Sequence, residues 1–532
     1  MASPADRSRP AALAVASAVI GALFATPLLY LVWRTATGDE AVVDLYTSRA
    51  TLDPLRNTLV LGATTAASAA AVGTGLAWLT TRTDLPQRRM WAALAVLPLV
   101  FPSFVGALAL TAAVSPGGLL DTPLGWIGVD AVRPEGFWGA WLVLTLFTTP
   151  YVLLPVAARL AALPPSLEES ARLLGRRPLE VFRTVVLPQI RGAVGAGALL
   201  VFLYALSDFG VVVMLRYDTL TRAINATRVH DRDRAVALSL LLAVLALAVV
   251  AAERALARRR AAVDAGKVGR ALQVPLGRWR WPALALVAGW VFVALGGPLA
   301  SLGLWAWRGL TGETSRIASG ERSVGDLVEP ALNTATISLV TALVAVAALL
   351  PLAYLSVRHR ARAGVAVHGL VASGFALPGL VIALAVVFWS LQLPAGWGLY
   401  QSFSMLVFAY VVHLGAQSLR AAQVAVAAVP GRLDESARML GASRARRFVT
   451  IDLPLMLPGL AAGGGLVLLS TMKELPITLL TAPTGFETLA TRIWSDTESA
   501  FLAEAALASI VLVALSGVLT WFLVVRRSDR LA

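Results

Sequence analysis

Two polar stretches stand out in a chain that is otherwise strongly apolar. "EESARLLGRRPLEVFRTVVLP" runs to Pro188, and "DESARMLGASRARRFVTIDLP" runs from Asp434 to Pro454. Both fit one pattern: E-S-A-x-x-L-G, nine residues, an aliphatic, one residue, and L-P. Glu169, Ala171, Arg172, Gly175, Leu187 and Pro188 fill it first, and Glu435, Ala437, Arg438, Gly441, Leu453 and Pro454 fill it again. The pattern predicts a two-turn helix ended by glycine, then a second short helix ended by proline. Ser166 and Glu169 have the spacing of a capping box, which Arg432 breaks in the second copy. Leu167, Ala171 and Leu174, like Leu433, Ala437 and Leu440, recur at i, i+4, i+7 and predict an apolar stripe. This is recognition chemistry, with charge beside grease on a short helix. A single copy would read equally well as an amphipathic helix on the bilayer. Two copies with fixed spacing point to a shared, two-fold partner.

A second pair of groups could act on a solute. Asp208 in "LSDFGVVVML" and Glu474 in "TMKELPITLL" are separated by the same 266 residues as Glu169 and Glu435, inside apolar runs. A carboxylate at mid-bilayer costs roughly 2.5 to 3.5 kcal/mol and usually faces a cavity or partner. One reading makes Asp208, Gly210, Lys473, Glu474 and Pro476 a pathway or gate, with Gly210 and Pro476 loosening the helix. The other is structural, with Glu474 neutralising Lys473 and Asp208 lying shallow enough to be wet. The histidines His230, His359, His368 and His413 are scattered and predict no metal site. No G-x-x-x-x-G-K-[ST] occurs, so the chain should neither bind nor hydrolyse ATP, and no cofactor is expected in it.

The elements that hold these groups are membrane spans. The chain has 532 residues, 58% of them hydrophobic and 14% charged, with a mean hydropathy of +0.74. That is more apolar surface than a soluble core can bury. Apolar runs near 11–33, 57–79, 90–113, 137–159, 192–215, 235–252, 282–306, 335–356, 365–390, 404–426, 457–480 and 505–525 are each about long enough to cross the hydrocarbon as helix. They predict an all-α polytopic protein of about twelve transmembrane helices. The net charge of +14 comes from arginines in alternate loops. The positive-inside rule explains this without nucleic acid, and it places those loops and both termini in the cytoplasm. The expected location is the inner or plasma membrane.

The chain is a tandem duplication. Glu169 with Glu435 and Pro188 with Pro454 share one offset, while Asn57-Thr58 with Asn333-Thr334 and Pro102 with Pro378 share one ten residues longer. The first half therefore carries a longer external loop near 114–136. Six spans per half predict two parallel repeats related by a pseudo-two-fold along the membrane normal. The expected division is 1–253, a basic cytoplasmic linker 254–281 that touches anionic headgroups, and 282–532. Gly192, Gly195 and Gly197, and Gly463, Gly464 and Gly465, follow each Leu-Pro and predict close packing of spans 5 and 11, against other helices or each other.

The two quoted segments resemble the EAA loop of binding-protein-dependent ABC transporter permease subunits, here with two MetI-like halves fused. Ser170 and Ser436 replace the family's usual first alanine. The resemblance implies that Glu169 to Gly175 and Glu435 to Gly441 are coupling helices. Each would seat in one of two copies of a cytoplasmic ABC ATPase, while an extracytoplasmic binding protein delivers the solute. "KELP" and "ETLATRI" at Glu487 to Ile493, with "DTLTRAI" at Asp218 to Ile224, are similar to the ferric-iron subfamily. Related permeases for 2-aminoethylphosphonate, thiamine, polyamines and sulfate share the architecture. The external segments 217–234 and 482–499 would then receive the binding protein, with Arg222 and Arg492 as candidate contacts. An ion-coupled secondary transporter is the rival reading, but it gives the duplicated polar segments no purpose. A membrane enzyme is a weaker one, since no nucleophile and base stand together.

Overall fold

A computed structural model describes residues 11–38, 42–128, 134–258, 273–312, 316–317, 319–358 and 362–520. Among these residues every regular element is helical, and the sole β pairing is an isolated bridge between Thr83 and Val274. Of the expected linker 254–281, residues 259–272 fall outside that range, as do both chain ends, expected to be cytoplasmic; 254–258 continue the helix Arg232–Arg258, and Leu276 donates its N–H to Asp84 Oδ1 at 2.8 Å.

Among the described residues, ten helices are long and apolar enough to cross a membrane: Val15–Thr37, Arg49–Arg82, Phe137–Ala161, Phe182–Ser207, Arg232–Ala255, Gly277–Thr311, Val324–Arg358, Phe403–Ala428, Arg444–Met472 and Leu502–Thr520. Two more are bent pairs, Arg88–Val100 with Ser103–Val114 at 97° and Val367–Ala376 with Gly379–Ser390 at 111°. Counting each pair as one gives spans 1 to 12 in chain order, with the pairs as spans 3 and 9. The bends fall at Pro102 and Pro378, both with extended backbone. Proline has no N–H to donate and pushes its predecessor out of the helical region, so each helix stops and restarts.

Spans 5 and 11 depart from the expected ranges. Both begin before the Leu-Pro pair, through one π turn each, Phe182–Val186 and Phe448–Asp452. Pro188 and Pro454 therefore do not end a short helix, because the wider turn removes the proline's need to donate and the helix runs on. At the other end the spans stop at Ser207 and Met472, and the short helices Gly210–Met214 and Pro476–Thr481 follow. Asp208, Lys473 and Glu474 thus occupy a helix break, not a helix interior.

The glycines after Leu-Pro bring backbones together. A Cβ on Gly197 would lie 2.7 Å from the Val152 Cα of span 4, and one on Gly463 would lie 2.5 Å from the Ala421 Cβ of span 10. Spans 5 and 11 pack chiefly within their own halves, on spans 2 and 4 and on spans 8 and 10, not on each other.

The two halves exchange their first spans. Span 1 lies against spans 8 and 9 of the second half, where a Cβ on Gly21 would meet Val367 at 3.0 Å. Span 7 lies against span 3 of the first half. There the Ser301 hydroxyl donates to the Ala109 carbonyl at 2.9 Å and the Trp305 indole to that of Ala112 at 2.8 Å. One continuous apolar core consequently runs through both halves.

Candidate functional site

The repeated polar segments fold alike. Helices Pro165–Leu173 and Gly431–Met439 both start after a proline in extended conformation, Pro164 and Pro430. No side chain caps the first helix, so the Ser166 and Glu169 capping box is not formed; the cap position is Pro164, two residues too early for it. Both helices end in the same double bond. Gly175 and Gly441 have φ of +79° and +76°, a region that glycine enters without a Cβ penalty. Their N–H groups donate to Arg172 and Arg438, while the next residues, Arg176 and Ala442, donate to Ala171 and Ala437. This is a Schellman closure in each half.

The closure fixes what faces outward. Leu173 and Leu174 are 88% and 81% exposed, and Met439 and Leu440 are 89% and 88% exposed. The expected stripe is therefore divided: Ala171 is buried against the protein, whereas Leu174 and Leu440 join their preceding neighbours in an exposed apolar tip. Glu169 and Glu435 are exposed on the same helices. Two such tips, one per half, sit at equivalent places.

Sequence reasoning missed how the first tip is anchored. Glu168, one residue before the conserved-spacing glutamate, pairs with Arg82 at the end of span 2, 2.8 Å apart with side chains 2% and 6% exposed. The one available signal was positional: Arg82 and Arg358 close spans 2 and 8 at matching places. In the second half Arg358 instead donates to the Val429 carbonyl at 3.0 Å. Asp434, which matches Glu168, pairs with Arg447 at 3.4 Å.

At the centre of the molecule the helix breaks meet. Asp208 is buried, accepts from the Ser103 hydroxyl at 2.5 Å across the span 3 bend, and accepts from the Val211 N–H at 2.9 Å. It thereby satisfies the first turn of helix Gly210–Met214, whose N–H groups have no helical partner. Glu474 holds the matching place. Its Oε1 sits where a Cβ on Gly379, at the span 9 bend, would come within 2.5 Å. Its Oε2 is 3.8 Å from His413 Nε2. Lys473 does not neutralise it, and donates across the two-fold to the Leu99 carbonyl at 3.1 Å. Gly210 and Pro476 each open the short helix after their acid. Phe209 and Trp494 stack at 5.3 Å beside this junction. No group of three metal-ligating side chains occurs among the described residues.

In the segments expected to be external, the two arginines differ. Arg222 is half-exposed and pairs with Asp218 at 2.9 Å. Arg492 is 14% exposed and bonds both Asp496 and Glu487 at 3.0 Å. Arg322 also holds Asp496, at 2.8 Å. The Arg492 charge is committed within the fold, leaving Arg222 as the more available cation. The Asn-Thr landmarks hold these segments in both halves. Asn57 and Asn333 donate to the Asp218 and Glu487 carbonyls at 2.9 and 3.0 Å, while Thr58 and Thr334 accept from Leu220 and Leu489.

Known proteins resemble the chain along most of its length. It is 29% identical over 506 residues, 94% of this chain and 95% of the relative, to the Fe(3+)-transport system permease protein FbpB 2 of Haemophilus influenzae. It is 34% identical over 141 residues to the sulfate transport system permease protein CysT of Salmonella typhimurium, covering 26% of this chain and half of that protein. It is 34% identical over 163 residues to the molybdenum transport system permease protein ModB of Mycobacterium bovis, covering 30% and 61%. Residues 55–262 and 345–531 each match the family described as binding-protein-dependent transport system inner membrane component. With two matched regions that together cover most of its length, the chain belongs to that family, as a permease carrying two fused copies of its domain.

Proposed function

We propose that the chain is the membrane path of an ATP-driven importer whose cargo is ferric iron. Two copies of a separate cytoplasmic ATPase would press on the two tips, and a binding protein would load the opposite face near Arg222. The observation that carries this reading is the pair of exposed apolar tips, Leu173-Leu174 and Met439-Leu440. Large apolar side chains held open by a rigid glycine closure are costly in water and gain most when a partner covers them. Closure of the partners would then be transmitted through spans 5 and 11 to the breaks at Asp208 and Glu474, which we place at the gate.

The ferric reading is supported by the relative that spans nearly the whole chain, whereas the sulfate and molybdenum relatives cover about a third or less of it. An oxyanion cargo is the second reading, favoured by the higher identity of those shorter matches. Changing Leu173, Leu174, Met439 and Leu440 together to serine should abolish co-purification of the ATPase while the permease remains monodisperse. Undiminished co-purification would sink the coupling assignment. Titrating the cognate binding protein with ferric ion, sulfate and molybdate decides the cargo separately, and ferric binding is expected.

A further inference from the structure

Beside the first coupling helix, between spans 2 and 5, the protein holds a cavity of about 640 Å³, within the range of small-molecule sites. Ala71 and Gly75 of span 2 and Phe182 and Val194 of span 5 form its walls, and Arg172 of the coupling helix stands at one end. Ala71 and Gly75 are exposed on a span long and apolar enough to cross a membrane, so the hollow has an open side there. The Trp78 ring of span 2 and the Phe182 ring of span 5, which both line it, meet edge to face at 5.8 Å. At the charged end, Glu168 is already paired with Arg82. The Arg172 Nε is buried and donates to no acceptor among the described residues. A buried guanidinium nitrogen without an acceptor is costly, and an oxyanion there would satisfy it.

We propose that this cavity binds one anionic phospholipid of the cytoplasmic leaflet, with an acyl chain between spans 2 and 5 and the phosphate on Arg172. Basic pockets between spans on the cytoplasmic side are suited to such headgroups, and the apolar walls suit the chain. The second half is built differently at the same places. Ala70, Thr74 and Gly75 correspond to the bulkier Val346, Leu350 and Pro351. Val181 and Val186 correspond to Arg447 and Asp452, which are engaged with Asp434 and with the Tyr354 hydroxyl. The matching place in the second half therefore lacks this small-residue wall, and the proposed site lies against the first of the two coupling helices. This inference concerns lipid binding and goes beyond the transport reading, since it can be measured without cargo or ATPase.

The full chain is reconstituted in nanodiscs of equal phosphatidylglycerol and phosphatidylcholine, extracted, and its retained lipids are counted by native mass spectrometry. The unaltered chain should keep about one phosphatidylglycerol in preference to phosphatidylcholine. Gly75→Leu fills the hollow without a backbone clash, because a Cβ there meets nothing within 4 Å. It should lower retention about tenfold, as should Arg172→Gln, which removes a charged donor. If Gly75→Leu aggregates, Val194→Phe carries the same test from the opposite wall. Pro351→Leu, at the matching place in the other half, should change nothing. Equal retention by the unaltered chain and the filling variants, or equal retention of the two lipids, would overturn the proposal. So would a photoreactive group at residue 75 that cross-links to the linker 259–272 in place of lipid.

Discussion

The short helices Pro165–Leu173 and Gly431–Met439 share a sequence pattern, a glycine closure and an apolar tip, yet they are held in place by different physics. The first rests on an ion pair, Arg82 with Glu168, that is almost wholly out of water. The second rests on Asp434 with Arg447, where the carboxylate is 43% exposed, and on the Tyr354 hydroxyl donating to Asp452 at 3.0 Å. A buried pair is brittle, because losing one partner strands a charge. A pair whose carboxylate is nearly half in water, as here, is screened and loses less than one that is wholly buried. Duplication has thus preserved the surface a partner sees while the foundations diverged.

Variants can break or sharpen this contrast. The largest effect should come from the tips themselves: Leu173 and Leu174 to aspartate, or Met439 and Leu440 to aspartate, should each abolish uptake in cells, since both tips must engage. Full uptake from either variant would mean one tip suffices. Next, Arg82→Ala should destabilise the first half by about 3–5 kcal/mol, read as a large fall in folded yield and melting temperature in detergent. Tyr354→Phe leaves Asp452 short of one donor and should cost about 1–2 kcal/mol by the same melt. Asp434→Asn should cost at most about 1 kcal/mol. If Asp434→Asn proved as damaging as Arg82→Ala, the proposed difference between the two foundations would be wrong. Smallest of all, and equal in the two halves, should be Asn57→Ala and Asn333→Ala, at about 1 kcal/mol each for one side-chain bond to a carbonyl.

Much of this architecture was legible in the chain. Twelve spans followed from run length, and the repeat from identical spacing. Gly175 and Gly441 ended their helices as expected because a left-handed residue leaves a local, residue-specific mark. Other features are non-local and left no periodic trace. Pro102 and Pro378 served as repeat landmarks, but a proline in an apolar run reads alike whether it kinks a span or divides it by nearly a right angle. Glu168 finds Arg82 across some eighty residues, and only the folded chain shows that this acid, not its neighbour Glu169, is the buried one. Leu174 and Leu440 looked like members of one stripe with Ala171 and Ala437 that a partner would cover; the two leucines are exposed as such a stripe requires, but Ala171 is buried against the protein. Arg492 looked like a docking cation until Asp496 and Glu487 were seen around it. Of the paired acids, spacing identified Asp208 and Glu474, but not that each stands at the start of a new short helix.

The exchange of first spans bears on why the chain is continuous at all. Each half keeps an arm wrapped around the other, so cohesion does not depend on the peptide segment between them. Cut within 259–272, or produced as two polypeptides, the halves should still find one another and stay clasped. Continuity then serves a different end: it guarantees a one-to-one ratio of two unlike halves whose exposed tips match but whose supports do not.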